Sequence, residues 1–335
     1  MLFQTVIASC SSSITVHEYL HLAALLITCL GFIVTVNHLT SLLIRIFNAC
    51  FRSPKDLRRS YGSWALVTGS TDGIGKAFAV QLARRGLNLV LVSRSSQKLE
   101  ELAREIQREH PGSLVKIIEM DFTGDLSEGL RRIEEVSKGL DMGILINNVG
   151  ITYPRATFFD EVEEKVWMNI VRVNIEGTTR VTKAVLPAML RRKKGAIVNI
   201  GSGAAVVVPS HPLFTIYAAT KAYVDQLSRS LYVEYRQYGI HVQCQIPLYV
   251  ATNMVSRVAS IETDSLFIPT PEAYARAAIR KIGYEPKCTP YWAHSVQWFF
   301  ARLIPDPLLD AWRLSIGLQR RKGDMALLNC PLSCT

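Results

Sequence analysis

The feature that most constrains the fold is a series of short apolar segments that alternate with longer helical segments after Pro54. The short segments are rich in Val, Ile and Leu, as strands covered on both faces are. Strands that alternate with helices form a parallel sheet with helices packed on it. The pattern therefore predicts an α/β fold, a doubly wound parallel sheet with helices on both faces. The predicted strands are 64–68, 88–92, 115–120, 143–146, 196–200 and 242–246.

An apolar segment near the N-terminus predicts a membrane anchor. No formally charged residue occurs from position 19 to 44, and a helix of that length exceeds the ~30 Å hydrocarbon core of a bilayer. The positive-inside rule places the rest of the chain in the cytosol, because Lys and Arg are absent before the segment. A cleaved signal peptide, which fits poorly without a basic region, and a buried core helix are the alternatives. The basic residues that follow are Arg45, Arg52, Lys55, Arg58 and Arg59.

Composition limits the classes of function. With 49% apolar residues, the chain is not disordered as a whole. Its net charge of +10 suits an anionic membrane surface or a phosphate-bearing ligand, and no nucleic-acid-binding module is recognisable. The seven cysteines include no Cys-x-x-Cys pair, which favours reduced thiols. No cluster of His, Cys and acidic residues indicates a metal site.

A glycine-rich turn, Gly69-x-x-x-Gly73-x-Gly75, joins the first predicted strand to a helix. Without a Cβ, glycine lets backbone N–H groups approach a pyrophosphate at the positive end of the helix. The spacing differs from the G-x-G-x-x-G fingerprint, but its position predicts a Rossmann-like dinucleotide site. Arg94 follows the second strand, where a guanidinium suits a 2′-phosphate and favours NADPH. An ordinary surface arginine is the alternative for Arg94.

Further polar residues follow the later strands. Asp121 comes after the third strand, Asn148 and Gly150 after the fourth, and Ser202 after the fifth. Ligands of open α/β sheets bind at the carboxyl ends of strands, so we expect these residues at the ligand-binding edge. Asn174 falls within a helix predicted at 163–191, where an asparagine most often faces solvent.

Tyr217 and Lys221 lie four residues apart on a predicted helix, so they share one face. A free tyrosine has a pKa near ~10, and a positive charge close to it favours the phenolate and lowers that pKa. Such a pair can exchange protons with a substrate at neutral pH. Taken alone, it is more typical of a solvated helix face than of a catalytic site.

Together and in this order, the glycine turn, Asn147-Asn148-x-Gly150, Ser202 and Tyr217-x-x-x-Lys221 resemble the short-chain dehydrogenase/reductase family. The chain is more particularly similar to its membrane-bound branch of very-long-chain 3-oxoacyl-CoA reductases and 17β-hydroxysteroid dehydrogenases. The N-terminal segment and the stretches 143–150, 247–252 and 288–292 carry this likeness, and the last is typical of plant members. The likeness runs from about residue 52 to residue 319.

The resemblance implies roles for individual residues. Tyr217 is expected to be the general acid that protonates a ketone oxygen, and Lys221 to lower its pKa and hold the nicotinamide ribose. Ser202 is expected to bind the substrate carbonyl, and Asn174 to hold a water linked to Lys221. Independently, hydride addition to a ketone creates an alkoxide that needs such a donor. The residues expected to bind NADPH are Gly69, Thr71, Asp72, Gly73, Ile74, Gly75, Arg94, Asp121, Asn148, Gly150, Tyr217, Lys221, Val250 and Thr252.

The chain departs from the wider family at several points. Leu248 stands where a glycine is usual, and Val149 where alanine is commoner. Tyr217 follows Ser202 by fifteen positions, slightly more than usual. The tail at 330–335 lacks the dilysine signal that some relatives carry.

We therefore expect three parts: a membrane anchor with a basic linker at 1–60 (span about 20–44), an NADP-binding catalytic domain at 61–258, and a substrate lid with an aromatic segment at 259–335. The aromatic residues of that last segment suit a membrane interface and core packing equally.

The leading functional prediction is the NADPH-dependent reduction of a very-long-chain 3-oxoacyl-CoA to the 3-hydroxyacyl-CoA, at the endoplasmic reticulum membrane. A hydroxysteroid or lipid-ketone oxidoreductase fits the same residues. A non-catalytic partner of the fatty acid elongase is the alternative outside the enzymes. The expected partners are the acyl-CoA substrate, the membrane and other elongase subunits, with no nucleic acid. A homodimer and the acyl chain-length preference are left open.

Overall fold

The computed structural model describes residues 2–50, 53–259, 261 and 263–328. The chain divides into two compact units, with the boundary between Arg52 and Ser53. The C-terminal tail at 330–335, to which the prediction about a retrieval signal applies, lies outside the described residues, as does Arg52 of the basic linker.

The first unit is one long helix, α1 (Leu2–Cys50). Its segment Val16–Ser41 has 26 residues with a hydropathy of 2.2, and none of it is buried. By length and composition this segment is able to cross a membrane. It overlaps the predicted span at 20–44 and is a candidate membrane anchor.

The second unit contains a parallel sheet of seven strands within the described residues, in the order β3-β2-β1-β4-β5-β6-β7. All six predicted strands are confirmed, with ends that move by two residues or fewer. A seventh strand of two residues was not predicted, because so short a segment has no periodicity to recognise. The strands are β1 (Trp64–Thr68), β2 (Asn88–Ser93), β3 (Val115–Glu119), β4 (Met142–Asn147), β5 (Gly195–Ile200), β6 (Ile240–Gln245) and β7 (Lys287–Cys288).

Helices cover both faces of this sheet, as predicted. Alternate residues of a strand point to opposite faces, so Val67 packs into one core cluster and Leu66 into the other. The helices of the second unit are α2 (Leu57–Tyr61), α3 (Gly73–Ala83), α4 (Ser96–Glu109), α5 (Ser127–Gly139), α6 (Glu164–Val171), α7 (Thr178–Arg192), α8 (Gly203–Val206), α9 (Thr215–Tyr235), α10 (Asn253–Ala259), α11 (Pro271–Ile279), α12 (Trp292–Ala301) and α13 (Asp306–Leu328). The first core cluster includes residues of α3, α4 and α11, and the second includes residues of α5 and α7.

The helix predicted at 163–191 is not regular. The structure has α6, then a π-helical turn at Arg172–Gly177, then α7. A π-helical turn inserts a residue into the helical repeat and is frequent at functional sites. It turns the side chain of Asn174 inward, where it is fully buried. The interpretation of Asn174 as a solvent-facing residue is therefore wrong.

The sheet is buried unevenly. All five residues of β1 are buried, whereas β3 at the edge leaves Lys116, Ile117 and Glu119 exposed. The centre of the sheet is therefore its best-packed part. The loops that follow β1, β4 and β5 start from this rigid base.

Candidate active site

A cavity of about 700 Å³ opens at the carboxyl ends of the strands, where ligands of doubly wound sheets bind. Most of the predicted site residues line it. Two do not: Gly75 and Asn174 lie behind its wall. The predicted residues that line the cavity are Gly69, Thr71, Asp72, Gly73, Ile74, Arg94, Asp121, Asn148, Gly150, Ser202, Tyr217, Lys221, Val250 and Thr252.

The glycine turn between β1 and α3 has the geometry that glycine permits. Gly69 and Gly73 adopt positive φ angles of 62° and 51°, which other residues rarely adopt. A Cβ on Gly75 would lie 2.1 Å from the Gly69 oxygen and 2.4 Å from Nδ2 of Asn148. Gly75 therefore allows close packing of α3 against the turn instead of contacting a ligand.

Polar side chains hold this turn in place. The Asp72 carboxylate accepts a hydrogen bond from the Gly73 N–H at 2.8 Å and from Nδ2 of Asn253 at 3.0 Å. It thereby joins the start of α3 to the start of α10. The hydroxyls of Thr71 and Ser93 are 2.8 Å apart, which links the turn to the end of β2.

These residues fit a phosphate-bearing dinucleotide. Gly73 and Ile74 bring the amino end of α3 to the cavity, where the helix dipole favours negative charge. The exposed Arg94 lies on the same cavity at the end of β2. A volume of this size is typical of cofactor sites.

Ser202, Tyr217 and Lys221 meet on the wall of the cavity. Ser202 follows β5 directly, and α9 carries the other two. The Nζ atom of Lys221 lies 6.0 Å from the centre of the Tyr217 ring and donates a hydrogen bond to the Ile200 carbonyl at 2.9 Å. The predicted shared helix face is therefore present.

Burial controls the protonation of this group. Burial raises the pKa of Tyr217, a hydrogen bond to Ser202 lowers it, and the charge of Tyr249 raises it. Burial also lowers the pKa of Lys221 to about 8. Desolvation is the largest effect on Tyr217 and favours the neutral phenol; the expected role of Lys221 in lowering the pKa of Tyr217 stays a prediction.

Asn174 joins two parts of the site without reaching the cavity. Its Oδ1 accepts from the Ile151 N–H at 2.9 Å. Its Nδ2 donates to the Ile151 carbonyl at 2.9 Å and to the Thr220 hydroxyl at 3.0 Å. The side chain therefore links the loop after β4 to α9, beside Lys221. Its expected role in holding a water stays a prediction.

The family follows from this arrangement and one comparison. A family model described as short chain dehydrogenase matches residues 63–262 of the chain. The chain belongs to the short-chain dehydrogenase family.

Known relatives indicate which members of the family this short-chain dehydrogenase resembles. A very-long-chain 3-oxoacyl-CoA reductase-like protein of Arabidopsis thaliana is 58% identical over 304 residues, which cover 90% of this chain and 95% of that protein. Inactive hydroxysteroid dehydrogenase-like protein 1 of Homo sapiens is 40% identical over 279 residues, or 83% of this chain and 82% of that protein. The resemblance predicted from the motifs is confirmed.

A solved structure agrees with the fold. The short-chain dehydrogenase from Sphingobium yanoikuyae in complex with NADPH is 29% identical, with a TM-score of 0.60, over 81% of this chain and 98% of that chain. Family and relatives together make this short-chain dehydrogenase an NAD(P)-dependent oxidoreductase.

Several residues of the site were not predicted. Tyr153 lines the cavity, and its hydroxyl accepts a hydrogen bond from the Ile216 N–H, one residue before Tyr217, at 3.0 Å. The buried ring of His294 accepts from the Leu248 N–H at 3.3 Å and contacts the Tyr249 carbonyl at 3.1 Å. It supports the loop in which Leu248 replaces the usual glycine. No local sequence signal marks these residues, because they act across long separations in the chain.

Proposed function

We propose that this short-chain dehydrogenase reduces a very-long-chain 3-oxoacyl-CoA to the 3-hydroxyacyl-CoA with NADPH. The observation that carries the chemistry is the convergence of Ser202, Tyr217 and Lys221 on one cavity beside the glycine turn. The substrate class is supported by the Arabidopsis thaliana relative, whose name specifies a very-long-chain 3-oxoacyl-CoA reductase-like protein.

In this proposal the protein donates a proton to the substrate carbonyl and holds that carbonyl in position. Bound NADPH supplies the hydride for the carbonyl carbon. The Ser202 hydroxyl donates a hydrogen bond to the carbonyl oxygen and polarises it. Tyr217 gives its phenolic proton to the same oxygen as negative charge develops. Since burial raises its pKa, Tyr217 is protonated at neutral pH and carries the proton that the carbonyl oxygen receives.

Lys221 has a supporting role in the proposal. With a pKa of about 8, it is mostly protonated at neutral pH and stabilises the phenolate left after proton transfer. Arg94 at the end of β2 is proposed to bind the 2′-phosphate, which gives NADPH preference over NADH. The NADPH complex of the Sphingobium yanoikuyae protein supports the same cofactor.

We further propose that α1 anchors the protein in the endoplasmic reticulum membrane, with the catalytic unit in the cytosol and other elongase subunits as partners. The apolar segment Val16–Ser41 and the basic residues after it support this topology. We also propose that the predicted boundaries at residues 60 and 258 separate the anchor and its linker, the catalytic domain and the substrate lid.

A non-catalytic role is the second candidate, because a relative that is 40% identical is named inactive. One observation disfavours that role: a single cavity is lined by Ser202, Tyr217 and Lys221. A protein without catalytic activity does not need a buried lysine on the wall of a cofactor-binding cavity.

Tyr217→Phe tests the proposal. We expect turnover of a long-chain 3-oxoacyl-CoA to fall by about 10²-fold or more, while NADPH binding is retained, because the hydroxyl acts in the transition state. Tyr223→Phe is the matched control, since this exposed tyrosine lies on the same helix and should retain full activity.

Two results would overturn the proposal. Equal rates in Tyr217→Phe and wild type would remove Tyr217 from the mechanism. A wild-type protein that binds NADPH but reduces neither a 3-oxoacyl-CoA nor a 17-ketosteroid would instead support the non-catalytic role. Turnover of the ketosteroid alone would change the substrate class but keep the chemistry.

A further inference from the structure

The C-terminal helix α13 buries an arginine beside Leu309, which is 5% exposed, and leaves several large apolar residues exposed. Arg313 is only 7% exposed, whereas Leu308 is 62% and Trp312 54% exposed. Leu314 and Leu318 are exposed on the same helix. A helix on a water-soluble surface shows the opposite pattern, with its apolar face toward the core.

Polar contacts with the catalytic unit explain why the arginines point inward. Arg313 donates to the ring of His211 at 2.9 Å, and Arg320 donates to the Tyr249 hydroxyl at 3.1 Å. Burial, together with the two arginines, lowers the pKa of His211 to about 3, so the neutral ring is able to accept. These contacts fix the rotation of α13, and its apolar side has to face outward.

The exposed apolar side continues into the preceding connection. Phe300 at the end of α12 is 59% exposed, and Leu303 and Ile304 in the connection to α13 are 57% and 43% exposed. We define the C-terminal apolar surface as Phe300, Leu303, Ile304, Leu308, Trp312 and Leu314. Soluble monomers rarely expose so many large apolar side chains within so short a stretch, and such patches mark interaction sites.

The chemistry around this surface favours a lipid bilayer over a protein. Four of the basic side chains from 287 to 328 bind partners within the unit, namely Lys287, Arg313, Arg320 and Arg321. Arg302 and Lys322 are exposed, and their positive charges complement anionic lipid headgroups. The exposed Arg302 lies 5.6 Å from the Trp298 ring. Indole and guanidinium groups above aliphatic side chains are typical of the headgroup region.

We propose that the C-terminal apolar surface of the catalytic unit lies in the interface of an anionic bilayer, as a second membrane contact besides α1. Leu308 and Trp312 reach the boundary between headgroups and acyl chains, and Arg302 stays at the level of the headgroups. The proposal concerns where the unit binds and does not depend on the substrate proposed above.

Tryptophan fluorescence of the full chain tests this contact. The sequence has five tryptophans, at positions 64, 167, 292, 298 and 312, so α1 contributes no indole signal. We would reconstitute the protein in vesicles of phosphatidylcholine and phosphatidylserine, with and without bromine on the acyl chains. The variants are Trp312→Phe and, as a matched control, Trp167→Phe, which removes an indole that is 38% exposed.

We expect brominated lipid to quench the emission of the wild type, and the quenched component to decrease in Trp312→Phe but not in Trp167→Phe. Acrylamide in the aqueous phase should not reach that component. NADPH binding by each variant confirms that it is folded. Vesicles without phosphatidylserine should give weaker quenching, because the basic residues lose their anionic partners.

Three outcomes would overturn the proposal. If acrylamide quenches the Trp312 component and brominated lipid does not, the surface faces water. If neither agent quenches it and the emission depends on protein concentration, a second copy covers the surface. Equal loss of bromolipid quenching in both variants would show that the contact is not specific to α13. Each outcome leaves the proposed reductase activity untouched.

Discussion

At the scale of single residues, Tyr217 illustrates how burial and charge compete in a catalytic site. The sequence predicts that Lys221 favours ionisation of the phenol, and burial acts in the opposite direction by raising the pKa of Tyr217. A neutral phenol is the form that donates a proton, as the proposed reduction requires. In the proposed reaction, Lys221 acts after the proton transfer, when its positive charge stabilises the phenolate.

The buried ammonium of Lys221 has a measurable cost. We expect Lys221→Met to abolish turnover but to raise the free energy of unfolding by roughly 1–3 kcal/mol at pH 7, because a partly desolvated charge is removed. Burial lowers the pKa of Lys221 in the folded chain to about 8 from 10.5. Below pH 8 both states are charged, and the folded state bears the full cost.

Between pH 8 and 10.5 the unfolded chain binds more protons at this site than the folded chain, so wild-type stability rises with pH. The advantage of the methionine variant should therefore shrink as the pH rises above 8. Urea unfolding at pH 7 and near pH 10 measures this difference. The same change at the exposed Lys116 gives the background, and an advantage that grows with pH would contradict the prediction.

Individual side chains were predictable where the topology determines their place. Ser202 and Asp121 follow strand ends and therefore lie at the ligand-binding edge of a parallel sheet. Asn174 was not, because its burial depends on a π-helical turn and on partners in the loop after β4 and in α9. Such long-range contacts leave no periodic signal in the sequence.

At the scale of elements, the turn between β1 and α3 shows which rules operate locally. Strands and glycine positions were predicted because β-rich runs and turn chemistry depend on neighbouring residues. The exposed apolar face of α13 and the π-helical turn between α6 and α7 depend on the rest of the fold. Local sequence preferences therefore predict the central sheet and its glycine turn better than they predict the surrounding helices.

Gly75→Ala tests the packing at the start of α3. The added methyl group would lie 2.1 Å from the Gly69 oxygen, so we expect a loss of about 1–3 kcal/mol in stability and weaker NADPH binding. Gly112→Ala is the control, because a Cβ there meets nothing within 4 Å. Thermal unfolding and NADPH titration measure both effects. Equal behaviour of the two variants would mean that α3 moves away without cost.

At the scale of the whole molecule, the two units carry different tasks. The residues that line the cavity fall between Gly69 and Val258, inside the second unit. The sequence predicts this division through a change from an uncharged segment to alternating strands and helices. It does not predict the outward apolar face of α13, since its residues also suit a core.

Removal of residues 1–52 tests the separation of tasks. We expect the remaining chain to bind NADPH with a dissociation constant within about twofold of the full chain, because the residues that line the cavity belong to the second unit. Fluorescence titration of both proteins gives the comparison. A much weaker affinity in the shortened chain would show that α1 contributes to the cofactor site.

The outermost strand β3 also bears on self-association. Its Lys116 and Glu119 are exposed, and their odd spacing places one charge on each side of the ribbon. Annealing β3 to the same strand of another copy would desolvate those charges and bring identical ones close together. Growth into a continuous intermolecular sheet through β3 is thereby discouraged.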